Sequence, residues 1–587
     1  MSIMVDFENQ VREKVSEALG AMGADVGFVV ELPSVDTADL AVPCFTMSKA
    51  MRKAPQAIAD DLAAAIVPGG LIASVSSCNG YLNFCMDGSA LVKGVLDDII
   101  ACKGDFTAPA TGLKVNVEHT STNPTGPIHV GRARNPIIGD TLARCLKRCG
   151  HDVTTEYYVN DVGKQVVILT WGVNNVSDED AEIEAEEHAK NAGHEKERDK
   201  PDHKLVAKYR IANRRMESEP EVQAQISDML RRFEAGDREV IDTVRRTAEL
   251  MLGGLRQTLA SINVELDRYT WESGFIADGS AKNVVEKLKS SKYAGQTDDG
   301  AWFVDLKDFG IQGKNTKFTF TRSDGTTLYT TRDLAYHIDK FSRSDRVIDV
   351  LGEDQKLGSK QLCSALEILG YDKMPEPLFY SFVSLPEGKM STRKGVVVYL
   401  DDLVDESIAH AYEEIRSRME TRNSDMSEER MREIARIVGT GAIRYNIVRV
   451  QAEKQFVFKW DEALNFDGNS GPYLQYVHAR ACSMLRKAGD FVRDTDPCKL
   501  TDEMEINLVK KLARYGEVLK EAGEGKKVSI LPGYAHELAV AFNQFYASVS
   551  VLDAGPRRDA RLTLVECTRT VLADVLDCLG MGAPEEM

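Results

Sequence analysis

Residues 115–144 constrain the fold more than any other stretch, because they prescribe a strand, a tight loop and a helix in succession. Leu113, Val115 and Val117 alternate with polar residues, the pattern of a strand with one buried face. Residues 120–127 gather Ser, Thr, Asn, Gly and two prolines, a turn composition. Then His129-Val-Gly-Arg132 opens a segment whose apolar residues, Ile137, Ile138, Leu142 and Ala143, fall at helical spacing. This order predicts His129 and Gly131 near a helix start, where unpaired N–H groups and the positive end of the dipole receive phosphate. Gly131, lacking a Cβ, would let a nucleotide lie close to the backbone. Taken alone, an HxG after a strand equally describes a plain strand-to-helix connection.

The whole chain, 587 residues, is too long for one core and divides by pattern into three parts. Residues 1–108 read as a small α+β domain, with helical spacing over 7–19 and a strand ending at Gly80-Tyr-Leu-Asn-Phe84. The Pro- and Gly-containing run 106–112 makes a linker. Over 109–465 strands and helices alternate, with strands expected at 151–159, 346–351 and 378–385, so the fold class is α/β with a parallel sheet. Such sheets bind ligands at the carboxyl ends of their strands. From 466 to 587 helical patterns dominate (473–488, 506–522, 534–549, 560–579) and predict an α-helical bundle.

Composition narrows the function classes. With 43% hydrophobic and 28% charged residues and no apolar run of about 18, the chain reads as a soluble globular protein without a membrane span. The first residues lack the apolar core of a signal peptide. Eleven cysteines without a CxxC pair fit core thiols in a reducing, cytoplasmic compartment, and no structural zinc is expected. A net charge of −18 argues mildly against a nucleic-acid partner. However, residues 174–201 carry ten acids against four basic residues and so supply six of the excess negatives. With little apolar beyond Val176 and Ile183, that stretch is expected to be a mobile insertion.

A second motif, Gly388-Lys-Met-Ser-Thr-Arg-Lys-Gly395, follows a predicted strand. Such a basic loop can set Lys389 and Arg393 or Lys394 where negative charge grows on a phosphate. His129 and Lys389 lie 260 residues apart in one α/β unit, and the pair resembles the two signatures of class I aminoacyl-tRNA synthetases. Within that class the chain is most similar to the arginyl-tRNA synthetase family, archaeal type. The likeness runs through VEHTSTNPTGPIHVGRARN, EYYVNDVGKQ, SDGTTLYTTRDLAYHIDKF, GTGAIRYNIVR, FDGNSGPYLQYVHAR and the closing LGMGAPEEM.

The resemblance implies a Rossmann-like catalytic domain between an N-terminal domain that touches the tRNA elbow and a helical anticodon-binding domain. It implies ATP with substrate-bound Mg2+, L-arginine and tRNA(Arg) as partners, and activation of arginine to its adenylate before transfer to the tRNA 3′ ribose. By similarity, Pro127, His129, Gly131, Lys389, Met390 and Ser391 would hold ATP, with His129, Arg132, Lys389 and Lys394 catalytic. Glu118 and Asp333 would receive the guanidinium fork, with Tyr329 beside them, while Ser121, Asn123 and Gln355 orient the α-amino and carboxylate groups. Asn83, Tyr476, Tyr546 and Met587 would contact tRNA. Two positions depart from the family pattern: Arg132 stands where a second histidine is usual, and Thr392 where a second lysine is usual, with Arg393 and Lys394 following as candidates for its role and Lys394 the preferred one. A monomer is expected. The competing readings are a glutamyl, glutaminyl or lysyl synthetase, a tRNA-binding paralogue without catalysis, and a non-RNA nucleotidyltransferase. The first would not need paired acids at Glu118 and Asp333, the second would not need the signatures, and the third would not need the end domains.

Overall fold

Five short strands rich in Val, Ile and Tyr form a wholly parallel sheet, whose two faces are covered by helices as such sheets require. The computed structural model describes residues 2–31, 33, 38–192, 198–313, 316–384, 399–422, 426–465 and 468–587. The Lys389 motif, Met390, Ser391 and Lys394 included, lies outside these residues.

The N-terminal part carries α1 (Ser2–Ala21), β1 (Leu40–Pro43), α2 (Pro55–Ala65), β2 (Ile72–Cys78), β3 (Tyr81–Met86) and α3 (Gly88–Cys102). Its antiparallel sheet runs β1-β3-β2, and Phe7, Val11 and Val15 of α1 are buried in its core. The helix α3 is an addition to the helices that the sequence suggests over 7–19 and after Pro55.

The parallel sheet begins at its centre with β4 (Lys114–Glu118), followed by α4 (Arg134–Arg148) and β5 (Asp152–Val159). After a helical excursion comes β6 (Arg268–Trp271). The chain then passes a small antiparallel sheet within residues 294–319 and α9 (Tyr329–Arg343) before β7 (Arg346–Gly352) and β8 (Glu376–Tyr380). The helices of the excursion include α5 (Lys164–Asn175), α6 (Asp178–Ala192), α7 (Pro201–Ser218) and α8 (Arg238–Ser261), with a further helix, Pro220–Glu234, between the last two. In space the order is β8-β7-β4-β5-β6, so the chain grows outward from β4 to one edge and later fills the other. The crossover reverses between β4 and β7, the place where open α/β sheets bind ligands.

The acidic stretch expected to be mobile is instead largely the helix α6, which packs on α7. Its buried face is thin in apolar atoms, Ala181 and Ala189, and is completed by Glu184, whose carboxylate pairs with Arg210 and Arg214. Ion pairing on a small-residue face therefore holds a helix that hydrophobic periodicity alone does not reveal.

Beyond β8, α10 (Leu400–Arg422) and α11 (Glu428–Val448) lead to a helical C-terminal bundle. The bundle comprises α12 (Gly471–Ala488), α13 (Glu503–Ala513), α14 (Tyr515–Gly523), α15 (Ile530–Ser548) and α16 (Arg558–Cys578). The single helix expected over 506–522 is two, meeting at Arg514. The last residues return along α12: Gln475, His478 and Arg486 donate to the carbonyls of Gly582 (2.9 Å), Pro584 (3.0 Å) and Glu585 (2.9 Å). Among the described residues no helix is long and apolar enough to cross a membrane.

Candidate active site

The segment after β4 turns sharply before α4 starts. A single 3-10 turn, Val130–Arg132, precedes Arg134, so His129 caps that turn rather than the long helix. The Gly131 N–H donates to Nδ1 of His129 at 2.9 Å, and a Cβ on Gly131 would sit 3.0 Å from the same atom. The glycine thus makes room for the histidine ring, and one N–H expected to face phosphate is spent inside the turn. With Nδ1 accepting, the proton of a neutral imidazole sits on Nε2. Burial, and then Arg132, push the His129 pKa below the ordinary value, which favours that neutral form. His129 and Arg132 are both exposed, Pro127 is buried, and the Arg132 guanidinium lies over the Phe382 ring.

The described segments that flank the second motif in sequence reach this turn. On one side Val383 pairs with Phe456 in a two-stranded bridge, and its carbonyl lies 3.6 Å from the Cβ position of Gly131. On the other, Tyr399 forms an antiparallel bridge with His129, and the Leu400 N–H donates to Ile128 O at 2.7 Å. Segments some 260 residues apart in sequence are therefore adjacent at the carboxyl edge of the sheet. Arg134, which sequence reasoning passed over, fixes this corner. Fully buried, it donates to the carbonyls of Ser381 (2.9 Å), Val450 (3.0 Å), Gln451 (2.8 Å) and Lys454 (2.7 Å).

Beside the turn, three neighbouring strands place Asp349, Glu118 and Glu156 in one row, since Asp349 and Glu156 are the register partners of Glu118. The helix α9 lays His337, Lys340 and Arg343, spaced three apart, across that row. Lys340 Nζ donates to Glu118 Oε2 and to Asp349 Oδ1, both at 2.7 Å. His337 Nε2 donates to Asp349 Oδ2 at 2.9 Å, and Arg343 donates to both oxygens of Glu156. His337 Nδ1 donates to Asp333 O at 2.8 Å and lies 3.2 Å from Asp333 Oδ1. Ser121 Oγ donates to Glu118 Oε1 at 2.9 Å.

Of the residues expected around arginine, the structure joins Glu118, Ser121 and Asp333 in one hydrogen-bonded chain. Glu118 is buried and paired, whereas Asp333 keeps a side chain 40% exposed. Asn123 is exposed and donates to Gln165 Oε1 at 3.3 Å; Tyr329 stands exposed at the first turn of α9, and Gln355 is exposed just after β7. The intervening His337, Lys340 and Asp349 were not singled out from sequence, although the lone acid inside the apolar run RVIDVL was a usable signal.

Among the described residues, two buried groups have the geometry to hold a metal ion: Glu118, His337 and Asp349, and Asp202, His203 and Asp401. Each already contains an ammonium. Lys340 bridges the first, and Lys200 donates to Asp401 at 2.8 Å in the second.

Among the residues expected to touch tRNA, Tyr476 and Tyr546 flank one guanidinium, with Arg480 at 4.8 Å from the first ring centroid and 5.1 Å from the second. Tyr546 is 42% exposed. Met587 packs elsewhere, against the buried cluster that includes Ala411 and Ile415 of α10 and Ile434 and Val438 of α11. Asn83 is half-buried in the middle of β3, opposite Ala41 and Ser76.

A family model described as class I (R) tRNA synthetases, catalytic domain, matches residues 96–460. The chain belongs to the arginyl-tRNA synthetase family. The same comparison matches residues 7–86 to an arginyl-tRNA synthetase N-terminal domain and 474–587 to a DALR anticodon-binding domain. An arginine–tRNA ligase of Methanocella arvoryzae is 44% identical over 96% of this chain and 97% of its own. One from Methanococcoides burtonii is 40% identical over the full length of both. Among solved structures, the arginyl-tRNA synthetase of Thermus thermophilus superposes with a TM-score of 0.81 at 27% identity, covering 99% of this chain and 100% of that one. The α/β parallel-sheet core, the N-terminal domain and the helical C-terminal domain are those of this enzyme family.

Proposed function

We propose that this chain activates L-arginine with ATP and transfers the arginyl group to the 3′-terminal ribose of tRNA(Arg), releasing pyrophosphate and AMP. The observation that carries the reading is the meeting of the HxG turn with both flanks of the Lys389 motif at the sheet's switch point, beside a buried acidic row. Arginine's carboxylate is already a nucleophile at neutral pH, so catalysis needs positioning and charge stabilisation more than a general base. His129 Nε2–H and Arg132 face the phosphates of ATP, which brings its Mg2+ with it as substrate. Lys389, with Lys394 in place of the usual second lysine, stabilises the charge that grows on the α-phosphate; Pro127, Gly131, Met390 and Ser391 flank the nucleotide.

Asp333 and Glu118 receive the guanidinium beside Tyr329, while Ser121, Asn123 and Gln355 orient the α-amino end. Lysine lacks the planar fork and would leave part of this acidic pair unmatched. The exposed Tyr546, with Tyr476 and Arg480, offers a stacking surface for unpaired bases, and Asn83 and Met587 complete the tRNA contacts. The protein works as a monomer in the cytoplasm. The test is aminoacylation of unfractionated tRNA: arginine is expected to be attached, and a folded chain that binds tRNA without charging it would overturn the reading.

A further inference from the structure

We propose that Lys340, Asp349 and His337 form a positioning network that clamps the inner oxygen of Glu118 and leaves the cluster one positive charge short, a deficit met by bound arginine. The proposal rests on the reading of Glu118 and Asp333 as the partners of the guanidinium.

Charge counting supports it. Both ring nitrogens of His337 face oxygens that only accept, Asp333 O and Asp349 Oδ2, so the ring carries two protons and a positive charge. Burial and Lys340 oppose that charge, but Asp349 and Asp333 outweigh them and lift the His337 pKa to about 10. Lys340 is fully buried and likewise held charged, since Asp349 and Glu118 overcome its desolvation. Glu118, Asp333 and Asp349 thus face two resident cations.

Among the carboxylates the compensation is uneven. Burial would raise Asp349, yet Lys340 and His337 together hold it well below the usual carboxylate range. For Glu118 burial dominates over the pull of Lys340, and its pKa is raised. In geometry, Asp349 accepts from two cationic donors, Lys340 and His337, whereas among the described residues Glu118 accepts from one, Lys340, and keeps demand for a second. That demand is directed: Oε2 is pinned by Lys340, and Oε1 is held only by the neutral Ser121 hydroxyl. A buried, pre-oriented acceptor with unmet charge is the arrangement that gains most from a charged donor.

The test is steady-state kinetics of arginine activation with tRNA present, in wild type, Asp349→Asn and Lys340→Met, each first checked for a native melting transition. Asp349→Asn balances the cluster before substrate arrives. It should raise the arginine KM about tenfold or more, the scale of one charge-assisted hydrogen bond, with the ATP KM unchanged within about twofold. In Lys340→Met, Glu118 loses its resident cation and binds a proton more readily. Its arginine KM should be highest near pH 6 and recover toward about pH 8.5, more steeply than in wild type. The titratable and charged groups around Glu118 there are Asp349 from β7, His337 and Tyr336 from α9, and Tyr158 and Glu156 from β5, the last paired with Arg343 of α9.

If Lys340→Met does not fold, Asp349→Asn decides alone. A folded Asp349→Asn with the wild-type arginine KM, or with arginine and ATP KM rising together, would overturn the network. Failure of wild type itself to charge arginine would instead overturn the functional reading on which it rests.

Discussion

The imidazole of His119 is fully buried against Gly139 of α4, with Nδ1 against the Thr120 hydroxyl at 2.6 Å. Burial outweighs the pull of Asp140 and brings its pKa down to about 4. The unfolded chain takes up this proton near pH 6.5 and the folded protein only near 4, so stability present above pH 6.5 is lost as pH falls through that window. The loss should reach about 3 kcal/mol, read as the extra acid sensitivity of wild type over His119→Asn in urea unfolding. Equal sensitivity would contradict it. A second residue-level expectation concerns Lys389: Lys389→Ala should slow adenylate formation at least about tenfold, the usual scale for one transition-state contact, and an unchanged rate would remove it from the site. The position of His129 and Gly131 at a turn after β4 was legible because a strand pattern, a turn composition and a helical period follow one another there. Lys340 and His337 were not, because their partners Glu118 and Asp349 sit on strands that only the folded sheet brings under α9.

Helix α4 carries a consequence at the scale of one element. Gly139 lies against His119, whose ring atoms would be 2.5 Å from a Cβ placed there. Gly139→Ala should therefore destabilise the protein by about 1–3 kcal/mol despite alanine's better helix propensity, measurable as a lowered denaturation midpoint with unchanged slope. A stabilised variant would show that strand β4 can shift to admit the methyl group. Alternating strands and helices were legible here because β4 alternates apolar and polar residues, β5 is rich in β-branched and aromatic ones, and β7 is a short apolar run. The 3-10 turn before α4 and the break at Arg514 were not, since both depend on local hydrogen bonding rather than on periodicity. The acidic α6 escaped for a related reason: paired Glu184 takes the place of an apolar side chain.

Across the whole molecule, the domains are tied by buried polar groups. Arg444 of α11, fully buried, donates to Leu579 O, to Ile262 O at 2.7 Å and to Asp140 of α4 at 2.5 Å, joining the helix behind the HxG turn to the C-terminal bundle. The last residues are bonded along α12 and end at Met587 against α10 and α11. Removing residues 582–587 should impair tRNA charging more than arginine activation, because the tail is anchored in the bundle and not at the sheet. Equal charging by the shortened chain would separate the tail from tRNA recognition. The three-part organisation was legible from composition and period, while the interdomain bonds were invisible in any single stretch. The first experiment is aminoacylation of unfractionated tRNA by wild type and Asp333→Ala, with arginine, lysine, glutamate and glutamine in parallel. Charging with arginine alone, lost or gravely weakened in Asp333→Ala, is the expected result. Charging with another amino acid, or undiminished arginine charging by the variant, would contradict the acidic pocket built from Glu118 and Asp333.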